Sequence, residues 1–134
     1  MKTCKKPAFY TLKQDKENGR VDVSFLGSPE SDGCCRDFLD KMKEIYNEER
    51  KFKILFDASK LGRAKLRHLK IFAKFMKINK QCTQDYMVCA AIVAPSPMAK
   101  AAIKLLFKLR KPVTEVTIWK SESEANDYLK QKKI

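Results

Sequence analysis

The sequence contains one histidine, His68, and no C-x-x-C pair among its five cysteines, Cys4, Cys34, Cys35, Cys82 and Cys89. A zinc site needs four converging ligands at workable spacing, so a structural metal is not expected, and no cofactor is implied. Nucleophilic catalysis is poorly supplied for the same reason. A serine, threonine or cysteine nucleophile needs a neighbouring base, and His68 falls at the edge of an apolar helical face, where a packed histidine is the plainer reading. No P-loop, G-x-G-x-x-G or H-E-x-x-H pattern is present. Glycine and proline are scarce, at four and five residues, and there are no repeats, low-complexity tracts or interdomain linkers. No apolar run approaches the length of a membrane span. With no signal-peptide pattern and an odd cysteine count, the expectation is a cytoplasmic, non-enzymatic protein of one domain spanning 1–134, with 1–7 flexible.

Acidic residues are also missing from one long stretch. Between Lys60 and Lys111 there are thirteen Lys and Arg against one acid, Asp85, while the remainder of the chain is almost balanced in charge. The formal net charge of +13 therefore belongs to the middle of the sequence. A localised excess suits a polyanionic partner better than it suits general solubility. Within it, Arg63, Arg67, Lys70, Lys74 and Lys77 recur at steps of four, three, four and three, which at helical period makes one cationic ridge. Leu69, Phe72, Phe75 and Met76 take the opposite face and must dock on a core, so the ridge points outward. Lys100, Lys104, Lys108 and Lys111 give a second basic edge. Phe107 is expected among these lysines rather than with Ala102, Leu105, Leu106 and Leu109, where it would be available to stack on a base or enter a headgroup layer.

Hydropathy patterning then sets the order of elements. Ala8 to Leu12 and Val21 to Phe25 read as a hairpin, with Asn18-Gly19 as a tight turn needing positive φ. Cys35, Phe38, Leu39, Met42, Ile45 and Tyr46 mark an amphipathic helix ending near Glu49. Phe52 to Phe56 is a strand, the basic helix follows, and the almost wholly apolar run from Tyr86 to Ala94 suits a central strand covered on both sides. Ser96 caps a helix with Pro97 at its first position, running to about Arg110. Val113 to Trp119 alternates as a strand, and Ser121-Glu122-Ser123-Glu124 is a capping box opening a last helix with Ala125, Tyr128 and Leu129 facing inward. The expected class is α/β, in the order β-β-α-β-α-β-α-β-α. It has a mostly parallel central sheet behind an N-terminal antiparallel hairpin.

This order resembles the STAS family, named for sulfate transporters and anti-sigma factor antagonists, and especially its SpoIIAA-like branch. The stretches that carry the resemblance are ILFDASKLG (Ile54 to Gly62), AAIVAPSPMAK (Ala90 to Lys100) and VTIWKSESEANDYL (Val116 to Leu129). In anti-sigma factor antagonists the loop after the third strand leads into a D-S-S-G motif whose serine is phosphorylated by a partner kinase. Here the D-S-S-G is absent and Ser59 is the only hydroxyl in the loop, with Asp57 and Lys60 beside it. The resemblance implies a non-catalytic interaction or regulatory domain with a regulatory loop at Asp57, Ser59 and Lys60. A small anion held near Lys60 or Arg63 at the start of the basic helix is a lesser expectation. The expected partner is an acidic protein bound on the ridge, with nucleic acid or an anionic membrane surface as the alternatives.

Overall fold

A computed structural model describes residues 9–134, so the basic lead 1–7 lies outside the described residues. Five strands form one sheet, β1 (Tyr10–Asp15), β2 (Arg20–Phe25), β3 (Phe52–Asp57), β4 (Met87–Val93) and β5 (Glu115–Trp119), and they lie side by side in sequence order. β1 pairs with β2 antiparallel, and every later pairing is parallel. The expected α/β architecture with an N-terminal hairpin is therefore present.

The hairpin turn differs from the two-residue type that Asn18-Gly19 suggests. Its connection is longer: the Asp15 carboxylate accepts from the Asn18 backbone and side-chain amides, at 3.2 and 2.7 Å, and only Gly19 takes positive φ, at 63°. An aspartate at the strand end can close the turn through its side chain, which relieves Asn18 of the left-handed conformation.

Helices α1 (Asp32–Asn47), α2 (Leu66–Ile78), α3 (Lys80–Tyr86) and α4 (Pro97–Leu109) follow the strands, and α5 (Glu122–Gln131) ends the chain. Period-two alternation divides the core between two layers. Val21, Ile54, Ala90 and Val116 sit in one row across the sheet and meet Phe38, Met42, Ile45 and Tyr46 of α1 with Phe72 and Phe75 of α2. Ala99 and Ile103 of α4 close on Phe56 and Ile92 farther along the same face. The next row, with Leu55 and Ala91, faces the other way and packs against Ala125 and Leu129 of α5. β4 is buried on both sides, as its continuous apolar run requires.

Two elements depart from expectation. Tyr86 ends α3, a short helix with no buried residue that the sequence reading does not contain. It arises because α2 stops at Asn79, whose side chain turns back to donate to the Phe75 carbonyl at 3.0 Å, and the chain resumes helix at once. The basic helix also starts late, at Leu66, so Arg63 belongs to the loop before it, where its carbonyl accepts from Ser28 Oγ at 3.1 Å.

Candidate interaction face and cavity

α2 is held in place from the α1 side by polar contacts at both ends. At its start, Asp32 of α1 accepts from Arg67 Nε and Nη2 at 2.9 and 2.6 Å through one oxygen, and its other oxygen lies 3.3 Å from His68 Nε2. At its end, Lys43 donates to the Asn79 side chain at 2.6 Å, and just beyond it, in α3, Thr83 shares a hydroxyl contact of 2.7 Å with Tyr46. His68 is only 4% exposed, so the single histidine is a packed residue with a carboxylate partner. The guanidinium of Arg67 beside Asp32 holds that carboxyl below the usual range, and His68 adds a smaller effect of the same sign.

With α2 fixed in this way, the ridge is displayed much as its spacing requires. Arg67, Lys70, Lys74 and Lys77 are exposed on the helix and Arg63 is exposed in the preceding loop. Among the described residues Lys70, Lys74 and Lys77 form no ion pair, whereas Arg67 is engaged with Asp32. The ridge thus consists of three free ammonium groups, the Arg67 guanidinium paired with Asp32, and Arg63 in the loop before them.

α4 is rotated relative to the expectation. Leu105 and Leu109 are 41% and 39% exposed, while Phe107 is half-buried and packs against the Ala58, Ile92 and Ile103 cluster. The inward stripe is Ala99, Ala102, Ile103 and Phe107, so Phe107 is not available for stacking. Both flanks of this helix carry apolar side chains, and the contact with Ile92 and Val116 of the sheet selects the one containing Phe107. Lys104 and Lys108 are exposed and Lys100 is half-buried. Beside their stripe, Met98, Ala101, Leu105 and Leu109 form a second exposed row at steps of three, four and four. Leu66 on α2 is likewise 49% exposed and Met98 54%. The helical layer therefore presents leucines and a methionine together with its lysines, and α2 and α4 are adjacent elements within it.

The loop after β3 is open and self-contained. Asp57 accepts from the Ser59 backbone amide at 2.9 Å, and Ser59 and Lys60 are exposed. Ser59 does not cap α2; the capping position is Lys65, with no side-chain bond to the helix. The helix start is thus separated from Lys60, and the anion site sketched for Lys60 and Arg63 at that terminus is not assembled.

Beneath α2 and α4 lies a feature with no counterpart in the sequence reading. A cavity of about 220 Å³, partly open to solvent, lies among α1, α2, α4 and the sheet. Small side chains leave room for it: Ala90 of β4, Ala102 of α4 and Ala64 of the loop line the space together with Phe56, Phe72 and Phe75. Its wall includes the side chains of His68, Tyr46, Thr83, Thr114 and Lys111. The first four are satisfied within the protein: His68 by Asp32, Tyr46 and Thr83 by each other, and Thr114 by the Met87 and Val88 carbonyls at 2.8 and 3.0 Å. Lys111 is exposed and makes no ion pair among the described residues.

Cysteine chemistry is confined elsewhere. Cys34 is disulfide-bonded, which the odd cysteine count does not suggest, while Cys35, Cys82 and Cys89 are free. Burial pushes the Cys35 thiol up to about 11, so it is protonated and inert at neutral pH. Among the described residues no group of His, Cys, Asp and Glu is arranged to hold a metal ion, and no helix is long and apolar enough to cross a membrane.

Among solved structures, the chain is similar over 90% of its length to a protein of the DUF3478 family from Shewanella loihica PV-4 described as having a SpoIIAA-like fold. That likeness has a TM-score of 0.62 at 11% identity and covers 91% of the other chain. The fold is SpoIIAA-like. An anti-sigma factor antagonist from Mycobacterium paratuberculosis is similar over 96% of this chain and 100% of its own, with a TM-score of 0.56 at 12% identity. No family model matches the sequence, and no curated protein matches it closely enough to count as a relative. The resemblance in the chain's element order is thus matched in three dimensions, as a likeness of fold.

Proposed function

We propose that this protein is a non-enzymatic, regulatory interaction domain that docks an acidic protein on the outer face of α2 and α4. Arg63, Arg67, Lys70, Lys74 and Lys77 supply one basic row, and Lys100, Lys104 and Lys108 supply the other. The observation that carries the reading is the exposed Leu66, Met98, Leu105 and Leu109 on the same two helices. Phosphate recognition alone has no use for exposed leucines, whereas a protein interface has an apolar centre and a polar rim. The fold shared with an anti-sigma factor antagonist supports a role in protein recognition. A cytoplasmic location is proposed with this reading; Cys35, Cys82 and Cys89 are free thiols, while Cys34 is disulfide-bonded.

The Asp57, Ser59 and Lys60 loop fits the same scheme as a point of control. Ser59 is exposed and unencumbered by any cap, so a phosphate added there would place a dianion beside Lys60.

An anionic membrane is the second reading, because basic residues beside exposed Leu and Met also suit a headgroup layer. One experiment separates these readings. Binding is measured over a salt series to a synthetic Asp/Glu-rich helical peptide with a leucine stripe, to duplex DNA, to single-stranded RNA and to phosphatidylglycerol vesicles. The K70E/K74E/K77E and L105S/L109S variants accompany the wild type. The expected result is peptide binding that weakens tenfold or more in the first variant and severalfold in the second. Tighter binding to nucleic acid or vesicles than to peptide overturns the protein-partner reading, and unchanged binding by the K70E/K74E/K77E variant removes the ridge from it.

A further inference from the structure

The cavity under α2 and α4 carries chemistry of its own. It is apolar, about 220 Å³ in volume, and larger than the roughly 150 Å³ cavity that suffices to hold a benzene molecule in an engineered protein core. Four of its five polar side chains already have partners inside the protein. The remaining one is Lys111, which both lines the cavity and reaches solvent.

We propose that this cavity is a binding site for a medium-chain fatty acid, with the alkyl chain between Phe72 and Ala102 and the carboxylate at the Lys111 ammonium. The occupant follows from the wall. An alkyl chain needs no hydrogen-bond partner, so it leaves the internal pairs of His68, Tyr46, Thr83 and Thr114 undisturbed. A neutral hydrocarbon would leave Lys111 unused, and a larger polar ligand would find no donor or acceptor to meet it. Charge complementarity at the mouth selects an acid over an alcohol or an amine. None of the residues lining the cavity is acidic, so no carboxylate of the wall itself opposes an approaching one. The small residues Ala64, Ala90 and Ala102 are what leave the volume open.

Isothermal titration of the full chain with decanoate, and in parallel with decanol, tests the assignment. The expected result is one equivalent of decanoate bound, with decanol at least fivefold weaker. Lys111→Gln is expected to bring decanoate down to the decanol level and leave decanol unchanged. Ala102→Phe fills the cavity and is expected to weaken both ligands tenfold or more. Ala64→Phe, in a loop, does the same if Ala102→Phe fails to retain the native circular dichroism. K70E/K74E/K77E is expected to bind decanoate like wild type, which separates this site from the outer face. The assignment is overturned if neither ligand binds, if decanol binds as tightly as decanoate, or if the filling variants bind decanoate normally. Binding to phosphatidylglycerol vesicles without binding to free decanoate also overturns it, since that places the protein on a membrane rather than around a free acid.

Discussion

Arg67 and Asp32 join the start of α2 to the start of α1, with Arg67 Nη2 2.6 Å from one carboxylate oxygen. The pair spans 35 positions of sequence and removes one guanidinium from the otherwise unpaired ridge. It also gives the fold a defined response to acid. Asp32 is held below its ordinary range, first by the hydrogen bond from Arg67. In the unfolded chain the same carboxyl titrates near 4. Above that value both states are ionised and the contribution to stability is complete. As pH falls through the lower native value the proton is taken up and the contribution is lost. The expected outcome is a wild-type Tm that drops more steeply than that of Asp32→Asn as the pH falls below the ordinary carboxylate range, with the two curves converging at the acid end. Thermal unfolding followed by circular dichroism across that range checks it, and parallel curves would remove Asp32 from the acid response.

The helix caps predict a more local effect. Ser96 Oγ accepts from the Ala99 amide at 3.1 Å, with Pro97 at the first position, where its missing N–H goes unneeded. Ser96→Ala is expected to lower unfolding free energy by about 1 kcal/mol, and Ser96→Asp to restore most of it. Urea denaturation gives the numbers; a neutral Ser96→Ala would mean that this end of α4 is supported by packing alone.

These caps were legible in the sequence because they are local, and the same holds for the α1 stripe from Cys35 to Tyr46 and for the alternation of β2. Each is set by neighbours within about one turn of helix or one strand. What was not legible depended on placement. α4 has apolar residues on both flanks, Leu105 and Leu109 on one and Ile103 and Phe107 on the other, and only contact with Val116 and Ile92 chooses between them. The Arg67–Asp32 pair and the cavity beneath Phe72 arise from where α2 sits over the sheet, which no spacing rule specifies. α3 lacks both a side-chain cap and a buried face, so neither of the usual helix signals marks it.

Gly19 is the one described glycine at positive φ, 63°, and a side chain there would meet the Lys51 carbonyl at 3.1 Å and the end of the Ile134 side chain. Ile134 is flexible enough to yield, but the left-handed backbone and the carbonyl are not. Gly19→Ala is expected to destabilise by about 1–2 kcal/mol, the usual penalty for an L residue in that region, and Gly19→Asn by less, because asparagine tolerates it better. Comparison of the two by urea denaturation distinguishes backbone strain from simple crowding, which would penalise the larger asparagine more.

Charge reversal along the ridge is expected to separate binding from stability. Lys74 and Arg67 look equivalent in the sequence, four and three steps from Lys70, yet among the described residues Lys74 is unpaired while Arg67 holds Asp32. Lys74→Glu removes a charge that only a partner answers. It therefore weakens binding of an acidic peptide severalfold at low salt and leaves Tm unchanged or slightly raised, since like charges around it are relieved. Arg67→Glu places a carboxylate against Asp32 and is expected to lower Tm with a smaller loss of binding. Asp32→Asn works in the opposite sense, freeing the Arg67 guanidinium, so it is expected to tighten peptide binding while lowering Tm at neutral pH. The three variants together give a pattern that a nonspecific loss of positive charge would not produce, because Lys74→Glu and Arg67→Glu change net charge equally. If both weaken binding to the same extent, with Asp32→Asn showing no gain, Asp32 does not restrain Arg67 and the ridge acts only through its total charge.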